Sequence, residues 1–233
     1  MLAESVKQRI EPLDLWRSLA VVLMIVYHGL YDLELFGVLA AGTTETPWAL
    51  ALRYACSGSF ILISGAVLRF SGDPVRRGFL VFCAGLLVSV ATALLKQPVK
   101  FGILQCIGVC MMLCGVLREK LESLSGAVFA LAGAVLFAAS WWVTKTITVD
   151  IKFLFPLGLR TDDFYSADYY PLFPWLFLYL IGTTVGKMSE KYRKSALLQR
   201  KIPRWMTFPG RRSLLIYLLH QPLLYGVTWL LFD

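Results

Sequence analysis

Seven apolar stretches, divided by short charged or Pro/Gly-rich joints, constrain this chain more than any other feature. They run roughly over residues 13–38, 49–70, 78–95, 101–117, 124–143, 172–188 and 213–232. Hydrocarbon offers no partner for a backbone N–H or C=O, so segments this long and apolar satisfy their own backbone as spanning helices. The dyad alternation of a membrane barrel is absent. Charged residues make up only 16% of the chain, against about a quarter in ordinary globular proteins. The chain therefore reads as one all-α integral-membrane domain over residues 1–233, with about seven transmembrane helices. The third and fourth stretches, joined by the short 96–100 turn, are expected to form an antiparallel hairpin.

The placement of charge says more than its net value of +8. Seventeen of the 23 Lys and Arg residues fall in the N-terminal segment (Lys7, Arg9, Arg17) and in the second, fourth and sixth joints. The sixth joint alone, between Lys187 and Arg212, carries nine of them, Arg193 included. By the positive-inside rule the N-terminus is cytoplasmic and the C-terminus outside. Acidic and basic residues precede the first apolar run, which lacks a small-residue cleavage motif, so it reads as a retained helix and not a signal peptide. These features point to a multi-pass cell-membrane protein, with lipid and not nucleic acid around it.

The five cysteines all lie inside apolar runs, so no disulfide framework is expected. Cys106, Cys110 and Cys114 follow Gly102 at steps of four. With no His or carboxylate beside them they read as helix packing, and no metal site is assigned. Gly126, Ala130, Ala134 and Ala138 repeat the pattern, and such stripes permit a homodimer.

Polar groups inside the spans are few, and they are where chemistry is to be sought. Arg17 and His28 stand eleven positions apart, which returns them to within about 20° on one helix face and separates them by roughly 16 Å. Asp32 follows His28 by one turn, a spacing that lets a carboxylate orient an imidazole and raise its basicity. On the last span Tyr217, His220 and Gln221 precede Pro222, whose missing N–H frees a carbonyl. An intramembrane histidine also serves as glue between helices, and for His220 beside its proline both readings stay open. The long joint 144–170 sets four aspartates among aromatic residues. That mixture suits a sugar or a cationic acceptor, and equally an interfacial aromatic belt.

Several stretches taken together are familiar. Residues 10–36 (IEPLDLWRSLAVVLMIVYHGLYDLELF), 60–65 (FILISG), 101–108 (FGILQCIG), 168–175 (DYYPLFPW) and 213–222 (SLLIYLLHQP) resemble, in order, the heparan-alpha-glucosaminide N-acetyltransferase catalytic-domain family. The Arg-to-His spacing also resembles the wider transmembrane acyltransferase group. Gln105 departs from the pattern, standing where the bacterial relatives would carry a histidine. The resemblance implies an acyltransferase that moves an acetyl group from cytoplasmic acetyl-CoA to an amino or hydroxyl group of a glycan or glycolipid on the outer side. It implies His28 as catalytic base or transient acyl carrier, with Asp32 as its orienting acid. Arg17, with Arg69 and Arg211, then faces the phosphates of coenzyme A, and Asp168, Tyr169, His220 and Gln221 face the acceptor. A small-solute or proton-coupled transporter is the rival from another class, because buried His, Asp and Arg also build proton relays. Such transporters usually show two related halves, and no internal repeat is evident.

Overall fold

A computed structural model of the chain describes residues 10–124, 126–192, 194–195 and 198–232. Lys7, Arg9 and Arg193, counted above toward orientation, lie outside these residues. The chain folds into helices α1 (Glu11–Leu35), α2 (Pro47–Val67), α3 (Pro74–Leu94), α4 (Ile103–Val116), α5 (Arg118–Leu124), α6 (Ala127–Thr146), α7 (Leu172–Lys191), α8 (Arg204–Arg211) and α9 (Ser213–Phe232). Among the described residues extended pairing is limited to one isolated bridge, Thr148 to Arg160. Each of the seven apolar stretches holds a helix, and among the described residues five helices are long and apolar enough to cross a membrane: α1, α2 with its short 3₁₀ extension to Phe70, α3, α6 and α9. The fourth stretch yields only the 14 residues of α4, about 21 Å of helix against a hydrocarbon core of about 30 Å. In α7 the backbone is extended at Phe173, as expected before a proline, and Lys187, Glu190 and Lys191 occupy its last turns.

Local sequence explains where the helices begin and end. Pro12 opens α1, with Glu11 and Asp14 set against the positive end of its dipole. At the far end the Glu34 carboxylate accepts from the backbone N–H groups of Gly42 and Thr44, at 2.6 and 2.7 Å, and closes the turn. Asp73 caps α3 by accepting from the Arg76 N–H at 2.9 Å, with Pro74 at the first helical position.

The chain divides into two compact units. The first comprises residues 1–59 and 189–233. In it α1 packs on α8 and α9. Ala20, Val21 and Met24 are buried along α1, and the Cys56 thiol donates to the Ala20 carbonyl at 3.4 Å. Pairs at 28 and 220, 32 and 221, and 36 and 225 run in the same order, so α1 and α9 are parallel.

The second unit comprises residues 60–188. Gly78 faces Gly108 while Gly85 faces Gln105, so α3 and α4 form the antiparallel hairpin expected of the third and fourth stretches. Gly182 and Gly186 of α7 meet the carbonyls of Leu62 and Ala66 in α2, approaches that leave no room for a Cβ. Cys106, Cys110 and Cys114 are buried thiols on α4. Of the second small-residue stripe Ala134 and Ala138 are exposed, and it is Gly133 that packs, against Ile181. Large apolar side chains line the outside of both units: Leu94 is 81% exposed, Val128 84% and Leu230 76%. A surface of this kind is at home in lipid and not in water.

Candidate functional site

Where α9 packs on α1, two imidazoles meet with ring centroids 4.7 Å apart and planes at 83°. Each is anchored within its own helix. His28 Nδ1 lies 2.9 Å from the carbonyl oxygen of Met24, and His220 Nδ1 lies 2.6 Å from that of Tyr217. A carbonyl only accepts, so each neutral ring carries its proton on Nδ1 and its lone pair on Nε2. The His28 Nε2 lone pair is thereby presented as a base. His220 Nε2 is buried and has no hydrogen-bond partner among the described residues.

Asp32 does not take the position against His28 that one-turn spacing suggests. Its Oδ1 accepts from Gln221 Nε2 at 2.7 Å, while Oδ2 has no hydrogen-bond partner among the described residues. The reason lies in helix geometry. Side chains lean toward the N-terminus of their helix, so the ring of His28 reaches back to the Met24 carbonyl. Asp32, one turn further on, faces α9 and is fully buried there. The backbone, and not a carboxylate, fixes the His28 tautomer. Asp32 and Gln221 instead tie α1 to α9 beside the histidines.

Nearer the start of α1 the cations gather. Arg17 Nη1 lies 3.6 Å from Asp14 Oδ1, and Arg211 Nε lies 3.5 Å from Asp14 Oδ2, with Arg211 Nη2 4.0 Å from Glu11. Asp14 thus draws Arg17 and Arg211 together. The buried Arg211 Nε–H faces Asp14 Oδ2 without closing a hydrogen bond, so the two guanidinium groups share the one carboxylate as an ion-paired cluster. The cluster rests on the close seat of α8: Gly210 lies on the Asp14 carbonyl and its N–H donates to Ser18 Oγ at 2.8 Å.

Three other predicted residues belong to the second unit. Arg69 lies 3.7 Å from Glu122, and its carbonyl accepts from Arg118 Nη2 at 2.9 Å. Asp168 Oδ2 accepts from the Ile103 N–H at 3.3 Å, at the start of α4. The Tyr169 hydroxyl donates to the Phe155 carbonyl at 2.6 Å under the Arg160 guanidinium, and burial pushes its phenol well above the ordinary tyrosine range. Phe164 packs on both Phe155 and Tyr169, with Lys100 over its ring. Gln105 has a structural duty: its Oε1 accepts from the Gly102 N–H at 2.6 Å and its Nε2 donates to Ser89 at 3.2 Å. Among the described residues no cluster of three or more His, Cys, Asp or Glu side chains is arranged to hold a metal ion.

Sequence reasoning passed over Asp14 and the α8 seat. The i, i+3 spacing of Asp14 and Arg17 was a readable signal. Gly210 against Ser18 was not, since 192 positions separate the two.

Fold and site together define a helical membrane protein with a base-ready histidine held part-way along its first span and an arginine cluster at the start of that span. The chain belongs to the heparan-alpha-glucosaminide N-acetyltransferase, catalytic family, whose model matches residues 9–222. That membership makes it a transmembrane acetyltransferase. No curated protein and no solved structure matches it.

Proposed function

We propose that the protein transfers an acetyl group from acetyl-CoA at the cytoplasmic side to an amino or hydroxyl group of a glycan or glycolipid at the outer side. The observation that carries this reading is the His28 ring, whose Nδ1 is committed to the Met24 carbonyl and whose Nε2 is left as the basic atom. His28 Nε2 removes the proton from the attacking amine or hydroxyl as that atom bonds to the thioester carbonyl carbon. The carbon–sulfur bond then breaks, and the departing thiolate collects the proton from the imidazolium. Direct transfer of this kind needs no acyl-histidine. Arg17 and Arg211 bind the donor phosphates, for which two planar guanidinium groups sharing the single Asp14 carboxylate are suited. His220 and Gln221 sit beside His28 and Asp32, placed to contact the acceptor. Arg69 contributes to the donor side, and Asp168 and Tyr169 to the outer side. Asp32 acts through Gln221 in holding α9.

The orientation with the N-terminus inside and seven crossings is supported by contacts within each unit. α1 and α9 run parallel, as the first and seventh of seven crossings must. The Ile202 N–H donates to Glu11, and Lys187 donates to the Glu122 carbonyl, each contact joining segments assigned to the cytoplasm. Tyr170 and Ala167 donate to the carbonyls of Phe101 and Pro98, joining segments assigned to the outside.

The test is reconstitution of the full chain in liposomes with labelled acetyl-CoA outside or inside. Saturable coenzyme A binding and label appearing on a glycan amine or hydroxyl are expected. Solute flux without acetyl transfer would overturn the assignment in favour of a transporter.

A further inference from the structure

The helix α8 has two faces of opposite character. Thr207 and Gly210 are buried, Gly210 on the Asp14 carbonyl of α1. On the other side Trp205 is 75% and Phe208 59% exposed, three positions apart and therefore on one face. Lys201, Arg204 and Arg212 are exposed around them. The Ile202 N–H bond to Glu11 and the Gly210 N–H bond to Ser18 hold the helix beside the first turns of α1, where a membrane span emerges into headgroups. An indole and a phenyl ring flanked by cations suit that boundary: the rings enter the acyl edge and the cations meet lipid phosphates.

We propose that α8 is an interfacial helix that binds an anionic leaflet, with Trp205 and Phe208 inserted below the headgroups and Lys201, Arg204 and Arg212 on the phosphates. The occupant is lipid and not a protein partner, because the rings are ringed by charge of one sign and the helix is pinned at the entry of a spanning segment. Arg211, on the inner side of the same helix, reaches Asp14, so bilayer contact and the arginine cluster share one rigid element.

The test uses the full chain in nanodiscs of phosphatidylcholine with phosphatidylglycerol and needs neither coenzyme A nor acceptor, so it stands or falls separately from the proposed reaction. The Trp205 contribution to fluorescence is read as the difference between the wild type and Trp205→Tyr. It is expected to be quenched by lipids brominated just below the headgroup and shielded from aqueous acrylamide. Retention of phosphatidylglycerol in native mass spectrometry is expected to weaken about fivefold per charge removed in Lys201→Gln and Arg204→Gln. Acrylamide quenching with no effect of brominated lipid would overturn the insertion. Unchanged phosphatidylglycerol retention in both variants would overturn the lipid assignment.

Discussion

Gly210→Ala is the substitution through which the seat of α8 can be tested most sharply. A methyl group there would strike the Asp14 carbonyl and lie 2.9 Å from Ser18 Oγ and 3.0 Å from Ser18 N. Two of these three obstacles are backbone atoms in a helix, so α8 has to lift instead. Lifting removes the 2.8 Å bond from Gly210 N–H to Ser18 and draws Arg211 away from Asp14. Overpacking costs ~1–3 kcal/mol, and a lost hydrogen bond adds about 1 kcal/mol. The sum, roughly 2–4 kcal/mol, lowers the unfolding midpoint by roughly 4–16 °C in a chain of this size. Gly226→Ala on α9 is the control, because nothing lies within 4 Å of its added carbon. Its stability is expected to stay level or rise by up to ~1 kcal/mol. Thermal unfolding in detergent and the KM for acetyl-CoA are the readouts, and Gly210→Ala should raise that KM as Arg211 moves. Equal midpoints for the two variants would refute the seat of α8 on α1.

Arg17→Lys keeps the charge but loses the planar fork, so titration calorimetry should show weaker coenzyme A binding; unchanged affinity in Arg17→Ala would remove the donor role. Gln105→Ala leaves the buried Gly102 N–H without its acceptor and should cost about 1–3 kcal/mol of stability, while turnover per folded molecule is unchanged. A cysteine introduced in 144–170 should react with a membrane-impermeant maleimide added outside intact cells, and one in 187–212 should not; the reverse labelling would invert the orientation.

Much of the architecture was legible because it rests on local rules. Backbone satisfaction in lipid forces apolar stretches into helices, and all seven formed. The third stretch, read from residue 78, starts four residues earlier at Pro74, where the cap Asp73 was passed over. The Arg17 to His28 alignment follows from 3.6 residues per turn alone. What could not be read depends on contacts across long stretches of chain. The bond of Asp32 to Gln221 spans 189 positions, and an i, i+4 rule sees only His28. The length of α4 was overestimated because Phe101 and Gly102 look apolar, yet Phe101 has φ of 57° and Gln105 caps at Gly102. The role of Gln105 was equally hidden, since one sequence does not distinguish a capping glutamine from a lost catalytic histidine. The α8 segment was read only as charge, because its apolar residues are too few for a span and its buried face is set by a glycine.

The measurement that bears most directly on the central claim is single-turnover acetyl transfer by His28→Ala, alongside its affinity for coenzyme A. General-base catalysis contributes about 10²–10⁴ in rate, so transfer should slow by that factor while donor binding holds, because Arg17 lies roughly 16 Å away along the helix. Wild-type protein given acetyl-CoA without acceptor should show no acetyl group on His28 by mass spectrometry. Full-rate transfer by a folded His28→Ala protein that still binds coenzyme A would contradict the account.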